Sequence, residues 1–135
     1  MERIEIMQKK ILVPLGMSAT DLKSVHYALA LAERIKAQVY ILQSDDATGA
    51  DSSVTLYMGE ALSDLINTAR QAGLNVSHHI AHKALKEEIV GLVKDEHIDL
   101  LVFGVEEKLN KRLLLQVKPR VSSQIIQVKG KKHLH

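Results

Sequence analysis

Ile98-Asp99-Leu100-Leu101-Val102-Phe103-Gly104 is the stretch that decides the fold of this chain. It is a short apolar run, closed by a glycine, between two segments with helical periodicity. Such a run is typical of a strand that is buried on both faces, as the central strands of a parallel sheet are. Because open sheets of this kind bind ligands beyond the carboxyl ends of their strands, a site is expected just after Gly104.

Strand and helix patterns alternate on both sides of this run. Apolar runs at residues 11–15, 37–42 and 74–82 predict three earlier strands, and residues 124–128 predict a last one. The segments between them carry apolar residues three and four apart, which predicts four helices. Alternation of this kind predicts an α/β fold in which helices cover both faces of a parallel sheet.

The expected helix boundaries follow from residues that begin or end helices. Ser18 or Thr20 can cap the first helix and Ser53 the second, because their side-chain oxygens accept hydrogen bonds from free backbone N–H groups. Gly73 stands where a glycine commonly ends a helix. Pro119 is expected to stop the last helix, because proline cannot continue one.

The composition predicts a single domain with an aliphatic core. The chain has 135 residues, of which 46% are hydrophobic and only 3% aromatic. It has no cysteine, which excludes disulfides, thiolate chemistry and cysteine-bound zinc. Without a run of about 18 apolar residues or a signal-peptide pattern, the expected location is the cytoplasm. We expect an N-terminal extension at residues 1–9, the domain at residues 10–129 and a basic tail at residues 130–135.

Charge is distributed unevenly along the chain. The net charge is only +2, but residues 108–135 hold eight of the 18 basic residues and none of the 16 acidic ones. Such a segment can bind nucleic acid or an anionic surface, although a solvated helix face and tail explain the same charges. The candidate contacts are Lys108, Lys111, Arg112, Lys118 and Arg120.

Histidines and carboxylates in the sequence do not form a recognisable catalytic or metal site. His78 and His82 would lie about 13 Å apart on a strand, and His79 would point to the other face, so the three are not expected to share a metal ion. Ser18 lies outside any Gly-x-Ser-x-Gly turn and is explained by helix capping. The sequence also lacks the glycine-rich loops of common nucleotide-binding folds, so we predict no catalytic or metal-binding residue.

Several segments together resemble the universal stress protein family, and the resemblance covers residues 9–128. Each motif alone is weak, but their order and spacing are specific. The segments are similar to the family's first strand, its Ala/Leu-rich first helix, its second strand, its third helix and its fourth strand. They are residues 10–14, 26–32, 37–42, 87–90 and 99–104.

This resemblance implies a five-stranded parallel sheet in the order 3-2-1-4-5, flanked by about four helices. It also implies a homodimer that pairs through the last strand, formed by Gln124, Ile125, Ile126, Gln127 and Val128. Members that bind ATP carry an aspartate after the first strand and a Gly-x-x-Gly-(nine residues)-Gly-Ser/Thr segment after the fourth. Glycines in that segment let backbone N–H groups approach the phosphates.

At the matching positions this chain departs from the ATP-binding members. The aspartate position falls on Gly16, and the first glycine is kept as Gly104, but the second falls on Glu107 beside Glu106. The later Gly-Ser pair has no counterpart, and the family's Gly-x-Pro turn before the third helix is also missing. The resemblance therefore implies a divergent member without the ATP-binding glycine motif.

Two functions of different classes remain open. The first is a non-catalytic, homodimeric regulatory or interaction module in the stress response that binds no cofactor. The second is a protein that binds AMP, ATP or another small ligand in the crevice at the ends of strands 1 and 4. Lys108, Lys111 or Arg112 would then replace the glycine loop as phosphate partners. The candidate crevice residues are Leu15, Gly16, Ser44, Phe103 and Gly104.

Overall fold

The computed structural model describes residues 8–15, 21–44, 52–105 and 108–129, with the backbone alone at residues 21, 52–58 and 108–110. Strands and helices alternate along the chain, as their sequence periodicity predicts. A short 3-10 helix at Lys118–Arg120 precedes the last strand. In order, the elements are β1 (Lys10–Leu15), α1 (Asp21–Ile35), β2 (Gln38–Ser44), α2 (Ser52–Gln71), β3 (Val76–Ala81), α3 (Leu85–Glu96), β4 (Leu100–Gly104), α4 (Lys108–Val117) and β5 (Gln124–Val128).

All five strands are parallel and form one sheet in the order β3-β2-β1-β4-β5. This confirms the predicted α/β fold and strand order. The strands alternate their side chains between the two faces, and helices cover both, so two hydrophobic layers form. The layer under α1 and α2 contains Ile11, Val13, Val25, Val39, Ile41 and Val102, and the layer under α3 and α4 contains Leu12, Leu42, Ile89, Leu101, Phe103 and Val117.

Several predicted element boundaries were wrong by one or two residues. β3 begins at Val76 rather than 74, because α2 is followed by a turn in which Gly73 adopts a φ of 95°. It ends at Ala81, which leaves His82 outside the strand. α2 begins at Ser52, so Ser53 is its second residue and not its cap. Ser18 and Thr20, the candidate caps of α1, lie outside the described residues.

Two further boundaries differ at the ends of the regular elements. β4 begins at Leu100, two residues after Ile98. Before that point the Lys10 N–H donates to the side chain of Asp99 and not to a backbone carbonyl, so the regular ladder between β1 and β4 starts only after Asp99. α4 ends at Val117 instead of reaching Pro119. Pro119 lies near the start of the following 3-10 helix. Backbone N–H groups at the start of a helix have no partner within it, so proline, which lacks an N–H, is tolerated there.

Hydrogen bonds connect the amino ends of β1, β4 and β5. Asp99 Oδ2 accepts a hydrogen bond from the Lys10 backbone N–H at 2.8 Å, and the Lys10 ammonium donates to the Glu96 carbonyl at 2.9 Å. Ser123 Oγ donates to the Ile98 carbonyl at 2.7 Å, just before β5. These contacts hold β1, β4 and β5 in register at the amino ends of the strands. The expected site lies at the opposite, carboxyl ends.

Candidate functional site

The candidate crevice lies where β1 and β4 end side by side. The connections from these strands leave toward opposite faces, since α1 and α2 cover one face and α3 and α4 the other. Such a switch point is the usual ligand position in an open α/β sheet. Leu15 is the last residue of β1, Ser44 the last of β2 and Gly104 the last of β4. The structure therefore brings these three candidates to the same edge of the sheet.

Pro14 limits the pairing between β1 and β4 near this edge. The Lys9 carbonyl accepts from Gln38 in β2, and the Lys10 carbonyl accepts from Asp99 beside β4. Because successive residues of a strand face alternate neighbours, the nitrogen of Pro14 faces β4, where it has no hydrogen to donate. In the described residues the two strands pair only at Ile11↔Leu100 and Leu12↔Leu101. The β1–β4 ladder therefore stops before the strands end, whereas the β1–β2 ladder continues to Leu15.

The candidate side chains differ in what they can offer a ligand. Leu15 is packed in the α1/α2 layer and Phe103 in the α3/α4 layer, and both are almost fully buried. Their side chains support the two walls from within the core. Ser44 is half-buried and Gly104 presents backbone only. If the crevice binds a ligand, its polar contacts at these positions come from Ser44 and from the backbone at Gly104.

Two segments that the sequence analysis placed at this site are not described. Gly16, and Glu106 and Glu107, which follow Gly104, lie outside the described residues. The predictions that rest on them stay predictions from the sequence. The same holds for the side chain of Lys108.

The described basic residues of the C-terminal part differ in their contacts. Lys111, Arg112 and Lys118 are exposed, and none of the three forms an ion pair with another described residue. Arg120 instead makes a two-pronged salt bridge with Glu87 of α3, with nitrogen–oxygen distances of 2.9 and 3.1 Å. The guanidinium of Arg120 lowers the pKa of the Glu87 carboxyl, and Glu87 raises that of Arg120. Arg120 is therefore compensated, which weakens its candidacy as a polyanion contact.

The histidines of β3 enter local contacts and do not converge. His78 Nε2 lies 2.9 Å from Gln43 Oε1, and burial, then the neighbouring His79 and Arg70, lowers the pKa of His78. The ring of His79 stacks on Tyr40, with centroids 5.9 Å apart. Within the described ranges no three metal-ligating side chains are grouped closely enough to hold a metal ion. The partner of His78 is the side-chain amide of Gln43, which is not a nucleophile, so the two residues do not form a nucleophile–base pair.

A polar cluster that the sequence analysis missed lies at the amino end of the sheet. The Tyr40 hydroxyl is within hydrogen-bond distance of the Glu96 and Gln38 side chains, at 3.1 and 3.3 Å. These residues come from β2 and the end of α3, 56 positions apart, and no motif joins them. A tyrosine within an apolar strand was the one available signal, since a buried tyrosine hydroxyl usually has a partner.

Comparison with known proteins assigns the fold to a family. The model of the universal stress protein family matches residues 7–127. A solved universal stress protein in complex with cAMP is 19% identical, with a TM-score of 0.67, over 90% of this chain and 97% of that one. One from Archaeoglobus fulgidus in complex with dAMP is 17% identical, with a TM-score of 0.64, over 93% and 100%. One from Arabidopsis thaliana with AMP bound is 15% identical, with a TM-score of 0.65, over 91% and 92%.

A search of curated protein sequences gives no match. Among the described helices, none is both long and apolar enough to cross a membrane.

Proposed function

This chain belongs to the universal stress protein family, and we propose that it acts there as a non-catalytic, homodimeric regulatory or interaction module that does not hold ATP in the family's usual manner. The observation that carries this proposal is the sequence after β4. Glu106 and Glu107 follow Gly104 directly, in the segment where ATP-binding members hold the phosphates on glycine N–H groups. Like charges about 4–6 Å apart repel by on the order of a kcal/mol or more, even when partly screened.

Gly16 supports the same proposal from the other side of the crevice. It takes the place of the aspartate that ATP-binding members carry after the first strand, so this chain has no carboxylate there. Loss of that polar contact, together with repulsion at the phosphate position, opposes binding of both ends of the nucleotide. In this proposal the chain keeps the family's fold but lacks the residues that bind the triphosphate.

The homodimer in this proposal is supported by the exposed edge of β5. Gln124 N donates to the Asp99 carbonyl and the Val128 carbonyl accepts from Val105, so residues 124, 126 and 128 face β4. Ile125 and Gln127 consequently direct their backbone groups away from the sheet. A second copy that pairs with these groups would continue the sheet, as the resemblance implies. The proposed location is the cytoplasm.

A second candidate function is binding of a nucleoside monophosphate in the crevice. It is favoured by the solved relatives in complex with AMP and dAMP. A single phosphate carries less negative charge than a triphosphate, so Glu106 and Glu107 would repel it less. Lys111 and Arg112, in the first half of α4, are exposed and could compensate one phosphate charge.

Calorimetry with ATP and AMP on nucleotide-stripped protein tests both candidates. The first predicts no micromolar binding of either nucleotide, and the second predicts that AMP binds while ATP does not. Micromolar affinity for ATP contradicts both. If AMP binds, Arg112→Gln should weaken it, whereas Lys118→Gln, the same charge loss beyond the other end of α4, should not.

A gain-of-binding variant tests the role of the two carboxylates. The double change Glu106→Gln and Glu107→Gln removes both charges without changing side-chain size. If repulsion excludes the triphosphate, this variant should bind ATP more tightly than the unmodified chain. Equal, absent binding in both proteins would mean that the carboxylates are not what prevents it, and that the missing glycines or the missing aspartate do.

A further inference from the structure

A groove of about 570 Å³ runs between α1 and α2, on the face of the sheet away from α3 and α4. Its α1 side is one stripe of residues from Leu22 to Glu33, and its α2 side is a matching stripe from Ala61 to Ala72. At 1.5 Å per residue these stripes are about 16 Å long, which is three helical turns. The groove shares no residue with the crevice candidates.

The groove is open because several of the residues that line it have short side chains, and its floor is apolar. Leu29 and Ala69 are buried beneath it, and Leu65 and Leu74 are half-buried along its walls. Ala30, in the middle of α1, is exposed where a larger side chain would close the space. Two packed helices normally fill the gap between them, so an apolar groove of this length is surface that another element can cover.

The charged residues at the rim of the groove are both acidic. Glu33 of α1 and Asp64 of α2 line it and are exposed, and neither forms an ion pair with another residue that the structure describes. Among the described lining residues there is no lysine or arginine, and His26 of α1 is the one histidine. The groove is thus apolar at its base and carries one carboxylate on each side, on a chain whose net charge is positive.

We propose that this groove binds a basic amphipathic helix of a partner protein. The apolar side chains of the helix, at i, i+3, i+4 and i+7, would cover Leu65 and Ala30, and its flanking lysines or arginines would lie beside Glu33 and Asp64. The groove is open along its whole length, with exposed residues at its rim. A small ligand requires a more enclosing cavity, whereas a helix of about three turns matches both the length and the charge.

A synthetic helix of about 15 residues tests the proposal. The probe carries leucine on one face and lysine elsewhere, and a second probe replaces every lysine with glutamate. Titration calorimetry should give saturable, one-to-one binding of the Leu/Lys helix and none of the Leu/Glu helix. Absence of binding by the Leu/Lys helix, or equal binding of both probes, would overturn the proposal.

Matched variants locate the binding on the protein. Asp64→Lys should weaken the Leu/Lys helix about tenfold, because it replaces an attraction with a repulsion. Asp95→Lys makes the same change at an exposed position of α3, on the other face of the sheet, and should alter the affinity by less than about twofold. Similarly, Ala30→Phe should block the groove, whereas Ser63→Phe places the same ring on another face of α2. Equal losses in a groove variant and its control contradict the assignment, and circular dichroism verifies that each variant is folded.

Other occupants of the groove give different results. If a second copy of the chain fills it, Asp64→Lys or Ala30→Phe will change the sedimentation mass of the protein alone, which overturns the proposal. If the groove is a small-molecule site, octylammonium will bind and be lost in Ala30→Phe while the helix does not bind. That outcome also excludes a helical partner.

Discussion

The Tyr40 hydroxyl joins the second strand to the end of α3. It lies 3.1 Å from Glu96 Oε1, while the ring is buried and stacks on His79. Burial, and then the hydrogen bond and negative charge of Glu96, raise the pKa of Tyr40 above its ordinary value of 10.0. The folded state therefore favours the neutral phenol, and the hydroxyl contributes to stability only while it keeps its proton.

Tyr40→Phe should lower the free energy of unfolding by about 0.5–1.5 kcal/mol at pH 7, because one hydrogen bond is lost while the ring stays packed. The difference should be constant between about pH 7 and pH 9, where both folded and unfolded tyrosine are protonated. It should shrink as the pH rises through the raised pKa of the folded state, since the unfolded chain ionises first. Urea unfolding at pH 7, 9 and 11 measures this.

Tyr27→Phe is the matched control for this prediction. Tyr27 is 43% exposed on α1, and its hydroxyl makes no hydrogen bond with a described residue. Removal of that hydroxyl should leave the stability unchanged at pH 7. An unchanged stability in Tyr40→Phe, or a loss that grows above pH 10, would mean that the Glu96 contact does not stabilise the folded state.

At the scale of elements, the type and order of the strands and helices could be predicted because the periodicity of apolar residues records which faces are buried. The buried run in β4 and the spacing in α3 are examples. The strand order came from the family resemblance. Contacts between neighbouring elements could not be predicted, because they depend on how those elements are aligned side by side. Examples are the stack of His79 on Tyr40, the pairing of Arg120 with Glu87, and the side of β1 on which the Pro14 nitrogen lies.

The candidate site was only partly predictable for the same reason. The switch point followed from the alternation of elements, and the strand ends at Leu15, Ser44 and Gly104 meet there. That Phe103 is enclosed in the α3/α4 layer depends on which face its side chain takes. The groove between α1 and α2 was not predictable at all, because helical periodicity shows that a face is apolar but not whether a neighbour fills the space beside Ala30.

The free edge of β5 gives a prediction about assembly. Gln127 directs its backbone N–H away from β4, so Gln127→Pro removes a donor only from the outer edge. If the proposed dimer pairs through this edge, the variant should be monomeric at high micromolar concentration while its unfolding midpoint changes little. Sedimentation equilibrium measures the mass, and Gln127→Ala, which keeps the N–H, should remain dimeric.

Ile126→Pro separates loss of pairing from loss of folding. Its N–H faces β4, so this variant should lose stability as well as any dimer. A chain that is monomeric before any substitution, or a Gln127→Pro variant that stays dimeric, would exclude the β5 edge as the interface.

At the scale of the whole molecule, the sheet is the one element that both hydrophobic layers share. Ile41 and Leu42 are neighbours in β2 but belong to opposite layers, and both are essentially inaccessible to solvent. α1 and α2 pack on one face of the sheet, and α3 and α4 pack on the other. A loss of packing on either face should therefore be felt across the sheet, and the domain should unfold as one cooperative unit.

Ile41→Ala and Leu42→Ala test this cooperativity as a pair, because each removes a buried aliphatic side chain from a different layer. Each should lower the free energy of unfolding by about 2–5 kcal/mol, through lost transfer energy and the cavity left behind. Both should keep a single urea transition with an unchanged m-value, seen alike by circular dichroism and tyrosine fluorescence. Ile35→Ala, at a 40% exposed position that ends α1, should cost much less. A second transition in either core variant would show instead that the two layers unfold independently, with the sheet unable to couple them.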